Sequence, residues 1–158
     1  MLLIFLLVSG SVYSFGQCGK VIKISDGDTF IIMLSDQQKL KVRLAYIDCP
    51  EHDQDYGQQV KDYATKLLID KNVCLQVKYF DPYKRAVSLV KLSNGQLLNE
   101  EMLKQGFAWH FTKFSKDPNL TRLELQARKS HYGLWKSNNP VAPWEWRKAH
   151  NKRFLKKV

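Results

Sequence analysis

Residues 20–50 read KVIKISDGDTFIIMLSDQQKLKVRLAYIDCP, and this stretch decides the fold. Two runs rich in β-branched and apolar residues, Lys20 to Ile24 and Thr29 to Leu34, flank the turn cluster Ser25-Asp26-Gly27-Asp28. Such runs on either side of a turn read as a β-hairpin. Lys39 to Ile47 alternates well enough for a third strand. It ends at Asp48-Cys49-Pro50, because proline cannot donate to a continuing ladder.

Working outward, the pattern changes period. In Gln58 to Ile69, Val60, Tyr63, Ala64, Leu67 and Leu68 recur at helical spacing with polar residues between them, and Asp70-Lys71-Asn72 stops the run. Val73 to Phe80 and Ala86 to Leu92 are strand-like, the second followed by the turn Ser93-Asn94-Gly95. Two short helices follow. Asn99 to Gln105 takes Asn99 as its cap and stops at Gly106. The other begins near Pro118, with Asp117 as cap or Thr121 and Glu124 as a competing capping box, and ends at Gly133. Five strands with one helix between the third and fourth and two helices after the sheet make an α+β chain. A five-stranded OB-fold β-barrel with three helices is the expected architecture. No internal repeat or linker divides it.

The length of 158 residues suits one domain with tails, and a 44% hydrophobic content supplies a core. Disorder over the whole length is excluded, as are collagen-like and low-complexity readings. The 25 Lys and Arg exceed the 15 Asp and Glu, giving a net charge of +10. That excess points to an anionic partner, nucleic acid first. Leu2 to Val8 is an unbroken apolar run followed by Ser9, Gly10, Ser14 and Gly16, so residues 1–16 are expected to be a secretory signal peptide. Residues 17–147 would then be the folded domain and 148–158 a basic tail with Lys148, Lys152, Arg153, Lys156 and Lys157. The expected location is outside the cytoplasm, secreted or periplasmic. A lipid anchor at Cys18 on the cell surface is the alternative. Of Cys18, Cys49 and Cys74, two can pair in an exported chain, and the sequence does not say which.

The chemistry-bearing residues sit at strand ends. Asp28 follows the Asp26-Gly27 turn, and Asp48 and Glu51 flank Cys49-Pro50. These hard oxygen donors, with the backbone carbonyl of Cys49, suit Ca²⁺ rather than a soft metal. Arg43, inside an apolar strand, needs an anion beside it. Arg85 closes Asp81-Pro82-Tyr83-Lys84-Arg85 at the mouth of another strand. Two guanidiniums facing a cation would hold a phosphodiester and stabilise charge developing on it. His52, His110, His131 and His150 form no HxH or HxxxH pattern and read as surface or packing residues.

Asp26-Gly27-Asp28-Thr29, Arg43-Leu44 leading to Asp48-Cys49-Pro50-Glu51, and Tyr83-Lys84-Arg85 together resemble the staphylococcal nuclease family. Asn99-Glu100, Lys104-Gln105-Gly106-Phe107-Ala108, Gln126-Ala127-Arg128 with Gly133-Leu134-Trp135, and Pro143-Trp144-Glu145-Trp146-Arg147 extend the likeness over roughly Gly19 to Arg147, the last motif resembling exported bacterial members. The resemblance implies a Ca²⁺-dependent endonuclease acting on DNA and RNA, single-stranded for preference, as a monomer, and leaving 3′-phosphates. It implies that Asp28, Asp48 and the Cys49 carbonyl hold the cation. Arg43 and Arg85 would grip the phosphate, and Glu51 would serve as general base. Tyr83, Lys84, Phe111 and Phe114 complete the implied substrate-binding set. Lys84 stands where the family usually has Gly. A non-catalytic module that binds single-stranded nucleic acid is the alternative, although all five of Asp28, Arg43, Asp48, Glu51 and Arg85 are kept.

Overall fold

The computed structural model describes residues 15–155. Most of the expected leader, residues 1–14, lies outside the described residues, as does 156–158. The chain runs β1 (Gln17–Asp26), β2 (Thr29–Leu34), β3 (Lys39–Leu44), β4 (Ile47–Asp48), α1 (Gly57–Leu68), β5 (Asn72–Phe80), β6 (Ala86–Leu92), α2 (Leu98–Lys104), β7 (Trp109–His110), α3 (Pro118–Lys129), a 3-10 turn (Gly133–Lys136) and α4 (Pro143–Leu155).

Five strands close a barrel in the order β1-β2-β3-β6-β5. Register shifts in β1, after Val21 and after Ile24, and in β5, after Val77, coil those strands enough for closure. β3 and β6 are the parallel pair, with Arg43 opposite Val87, and α1 and β5 supply the crossover between them. Val21, Phe30, Ile32, Val42, Leu44, Leu75 and Val90 fill the interior. α1 buries Val60, Ala64 and Leu68, one turn apart, in the same core. Gly27 lets it approach: a Cβ there would stand 2.3 Å from Val60 Cγ1.

The barrel is the α+β architecture expected, with two changes. The third strand does not run to Ile47. Tyr46 takes φ +67°, a left-handed conformation that breaks the ladder, and Ile47–Asp48 leaves the barrel to pair with β7. The helices number four among the described residues, not three. The segment after Ala142, expected to pass into a basic tail at 148, is helical through Leu155, with Pro143 at its first position.

Local details differ for one reason, the need to pair buried backbone groups. Asn99 is not the cap of α2. It lies inside the helix, fully buried, and its amide accepts from Val90 N (2.9 Å) and donates to Ala45 O (2.9 Å) and Ser88 O (3.2 Å). Asp117 does cap α3, accepting from Asn119 N at 2.8 Å. The competing box does not form, because Glu124 is drawn inward to accept from His110 N (2.8 Å) and Arg128 Nε (2.8 Å). α3 stops at Lys129, and Gly133 instead opens the 3-10 turn with φ +54°.

Cys18 of β1 faces Cys74 of β5, and the two form a disulfide. The bond occupies the sulfur that a lipid anchor at Cys18 would require. Cys49 remains a free thiol, buried.

Candidate active site

The site begins at the β1–β2 turn. The tight turn at Gly27 sends the Asp28 carboxylate across to the end of β4, where Oδ2 accepts from Cys49 N at 2.9 Å. Its Oδ1 accepts from Thr29 Oγ1 at 3.0 Å. Asp28 therefore stitches two strand ends together and fixes Asp48 and the Cys49 backbone beside itself. Asp48 is 1% exposed, held by the pairing of β4 with β7.

Arg43 lies in β3, opposite Thr29 of β2, and reaches both acids. Its Nη2 donates to Asp48 Oδ1 at 2.6 Å. Its Nη1 forms an ion pair with Asp28 Oδ2. Burial opposes the Arg43 charge, but Asp28 and Asp48 outweigh it and hold the guanidinium pKa above its ordinary value. Burial also pushes the Asp48 carboxyl up, while Arg147 and Arg43 pull it down. The Cys49 thiol, buried beside Asp28, is pushed well up and stays neutral. Glu51 is half-buried just beyond Pro50, in a turn closed by Gln54, which donates its N–H to Glu51 O at 3.0 Å.

Arg85 is aimed by Asp81. One Asp81 oxygen accepts from Tyr83 N (3.0 Å) and Arg85 N (2.9 Å), and the other from Arg85 Nε (2.6 Å). Burial would raise the Asp81 carboxyl, but these donors outweigh it and leave the pKa below its usual place. Lys84 takes φ +58°, a left-handed conformation that glycine adopts more readily than a residue with a Cβ.

One cleft of about 570 Å³ brings these groups together. Asp28, Arg43, Asp48, Cys49, Glu51 and Arg85 all line it. Tyr83 and Phe114 stand at its rim, 78% and 53% exposed. Phe111 also lines the cleft, but one face is covered by Trp144, stacked at 5.0 Å between centroids and 8° between planes. Lys84 is exposed and lies outside the cleft lining.

Arg147 of α4 is the residue the sequence reading missed. It was legible only as the last position of a family-like motif, because the carboxylates it meets lie about a hundred positions away in sequence. Its Nη2 donates to Asp48 Oδ2 at 2.7 Å, and its Nη1 pairs with Glu51 Oε1. Partial burial opposes the Arg147 charge, yet Asp48 and Glu51 outweigh it and raise the guanidinium pKa.

The donor chemistry fits a hard divalent cation. Asp28 and Asp48 converge at the start of β2 and the end of β4, and their carboxylates are hard oxygen donors. Among the described residues no group of three or more His, Cys, Asp or Glu is gathered closely enough to hold a metal ion by side chains alone.

The sequence pattern of the family described as staphylococcal nuclease homologue matches residues 41–137. An "uncharacterized endonuclease" of Haemophilus influenzae is 40% identical over 94% of this chain and 82% of its own length. An "uncharacterized endonuclease" of Escherichia coli is 36% identical over 82% of this chain and 84% of its own. The "Staphylococcal-like nuclease CAN1" of Arabidopsis thaliana is 42% identical over 73% of this chain, which spans only 35% of that longer protein. The closed barrel, the matched core and these likenesses agree, and the chain belongs to the staphylococcal nuclease family.

Proposed function

We propose that the protein is a Ca²⁺-dependent endonuclease that hydrolyses phosphodiester bonds in DNA and RNA with little sequence preference. The observation that carries this reading is the convergence of Asp28, Arg43, Asp48, Glu51 and Arg85, from four separate stretches of chain, on one cleft.

A phosphodiester resists attack because its negative charge repels nucleophiles. Asp28, Asp48 and the Cys49 carbonyl would hold the cation, which when bound neutralises phosphate charge and favours ionisation of water. Arg43, paired with Asp28 and Asp48 at the wall of the cleft, would present its guanidinium charge to one phosphate oxygen. Arg85, braced by Asp81 in the same cleft, stabilises charge building on phosphorus. Glu51 orients a water and takes its proton. The water oxygen bonds to phosphorus, the P–O5′ bond breaks, and the released O5′ takes up a proton, leaving a 3′-phosphate. Tyr83 and Phe114 offer exposed rings to unstacked bases, which favours single strands. Phosphate contacts carry affinity without a base code. Export is supported by the Cys18–Cys74 disulfide, since such bonds persist in oxidising compartments.

Digestion of single-stranded DNA and RNA with added Ca²⁺, and its arrest by a chelator, tests the reading. Glu51→Gln and Arg85→Ala are expected to lower kcat by about 10²–10⁴-fold with the far-UV spectrum unchanged. Binding without cleavage by the unmodified protein would instead identify a non-catalytic module.

A further inference from the structure

α4 is locked to the rest of the molecule along one side. Trp144 stacks on Phe111 and meets Trp109 edge-on at 5.7 Å. Just before the helix, Val141 O accepts from Gln54 Nε2 at 2.6 Å, and within it Trp146 Nε1 reaches Asp53 Oδ1 at 3.4 Å. Those anchors lie just before Arg147 in the chain and bring its guanidinium to the carboxylates. Nη2 lies 2.7 Å from Asp48 Oδ2, Nη1 lies 3.4 Å from Asp48 Oδ1, and Nη1 also pairs with Glu51. Asp48 Oδ1 already accepts from Arg43 at 2.6 Å.

The consequence is an alternating chain of charge, Asp28–Arg43–Asp48–Arg147–Glu51. Three carboxylates face two guanidiniums. Both oxygens of Asp48 are engaged by cationic donors, although Asp48 is the most buried acid in the cleft. A divalent ion taking a lone pair from Asp48 would stand a few ångströms from the Arg147 guanidinium in a partly dehydrated cleft, where like charges repel strongly. The two cannot share that carboxylate on equal terms. Arg147 is only half-buried, so it has solvent to retreat into; Arg43 is enclosed and does not.

We infer that Arg147 is a positioning residue that stands in for the cation: its guanidinium holds Asp48 and Glu51 in place in the cation-free site, and a divalent ion binding Asp48 displaces it. α4 thereby sets how much cation the site requires. The inference rests on the cation-dependent reading above. It concerns a residue beyond the 41–137 stretch that matches the family.

Calorimetric titration of the full protein with Ca²⁺ alone, without nucleic acid, tests it. Arg147→Gln, which removes the competing charge, is expected to bind Ca²⁺ about tenfold more tightly. Arg147→Lys, which keeps a charge but loses the two-pronged fit, should fall between that variant and the unmodified protein. A variant that merely loosened the site would bind Ca²⁺ more weakly, so tightening separates displacement from structural support. Unchanged or weakened Ca²⁺ affinity in Arg147→Gln, with its tryptophan near-UV spectrum intact, overturns the inference. So does unchanged affinity accompanied by a raised KM for single-stranded DNA, which would make Arg147 a phosphate ligand. Asp48→Asn serves as the control on the underlying reading and should abolish binding. If Asp48→Asn binds Ca²⁺ like the unmodified protein, the cation site itself is misplaced and the inference falls with it.

Discussion

His110 illustrates how a single buried side chain couples this fold to pH. It is 2% exposed, its Nδ1 lies 3.0 Å from Thr121 Oγ1, and its Nε2 has no hydrogen-bond partner among the described residues. Burial lowers its pKa, against the opposing pull of Glu124 and Asp117. The unfolded chain therefore takes up a proton near the ordinary value of about 6.5, before the folded protein does. Between the folded and unfolded values the unfolded state binds more protons, so stability rises with pH. The stabilisation is complete above about 6.5 and drains away as pH falls through the folded value. The urea midpoint is expected to drop between pH 7.5 and pH 5, and His110→Phe should flatten that drop. An equal drop in both proteins would place the sensitivity elsewhere. The sequence marked His110 only as a surface or packing residue. Its burial follows from β7 pairing with β4, a contact across more than sixty positions that no local pattern carries.

At the scale of elements, the hairpin and α1 meet through one missing side chain. The β1–β2 turn holds Asp28, and α1 presses Val60 against Gly27 beneath it. Gly27→Ala would drive its Cβ to 2.3 Å from Val60 Cγ1, so the turn or the helix must move. A loss of about 1–3 kcal/mol is expected by chemical denaturation. Val60→Ala, made in the same chain, should return part of it in a double-mutant cycle. Strictly additive losses would show that the two residues do not conflict. The strand and helix periods in the sequence foretold both partners, and Asp117 with Pro118 foretold the start of α3. Tyr46 and Asn99 resisted such reading. One interrupts a strand whose apolar pattern continues, and the other sits where a cap residue is common but is pulled inward by the carbonyls of Ala45 and Ser88.

For the whole molecule, the Cys18–Cys74 bond closes a span of 56 residues and ties β1 to β5, where the barrel seam closes. Cross-linking a loop of that length restricts the unfolded chain, and its reduction is expected to cost about 2–4 kcal/mol. Urea melts with and without reductant check this, and a Cys18→Ala, Cys74→Ala protein should match the reduced one. No change on reduction would mean that hydrogen bonding along the β1–β5 ladder suffices alone. The barrel class, the anion-seeking charge and five members of the candidate site were determined by the sequence itself. Each depends on periodicity or on short motifs at strand ends, which are local properties of the chain. The partner of Cys18, the loss of one face of Phe111 to Trp144, and above all the arrival of Arg147 at Asp48 and Glu51 were decided only by the tertiary structure. A guanidinium 99 positions from its carboxylate is brought there by the packing of α4 on distant aromatic rings, and packing of that kind leaves no period in the sequence.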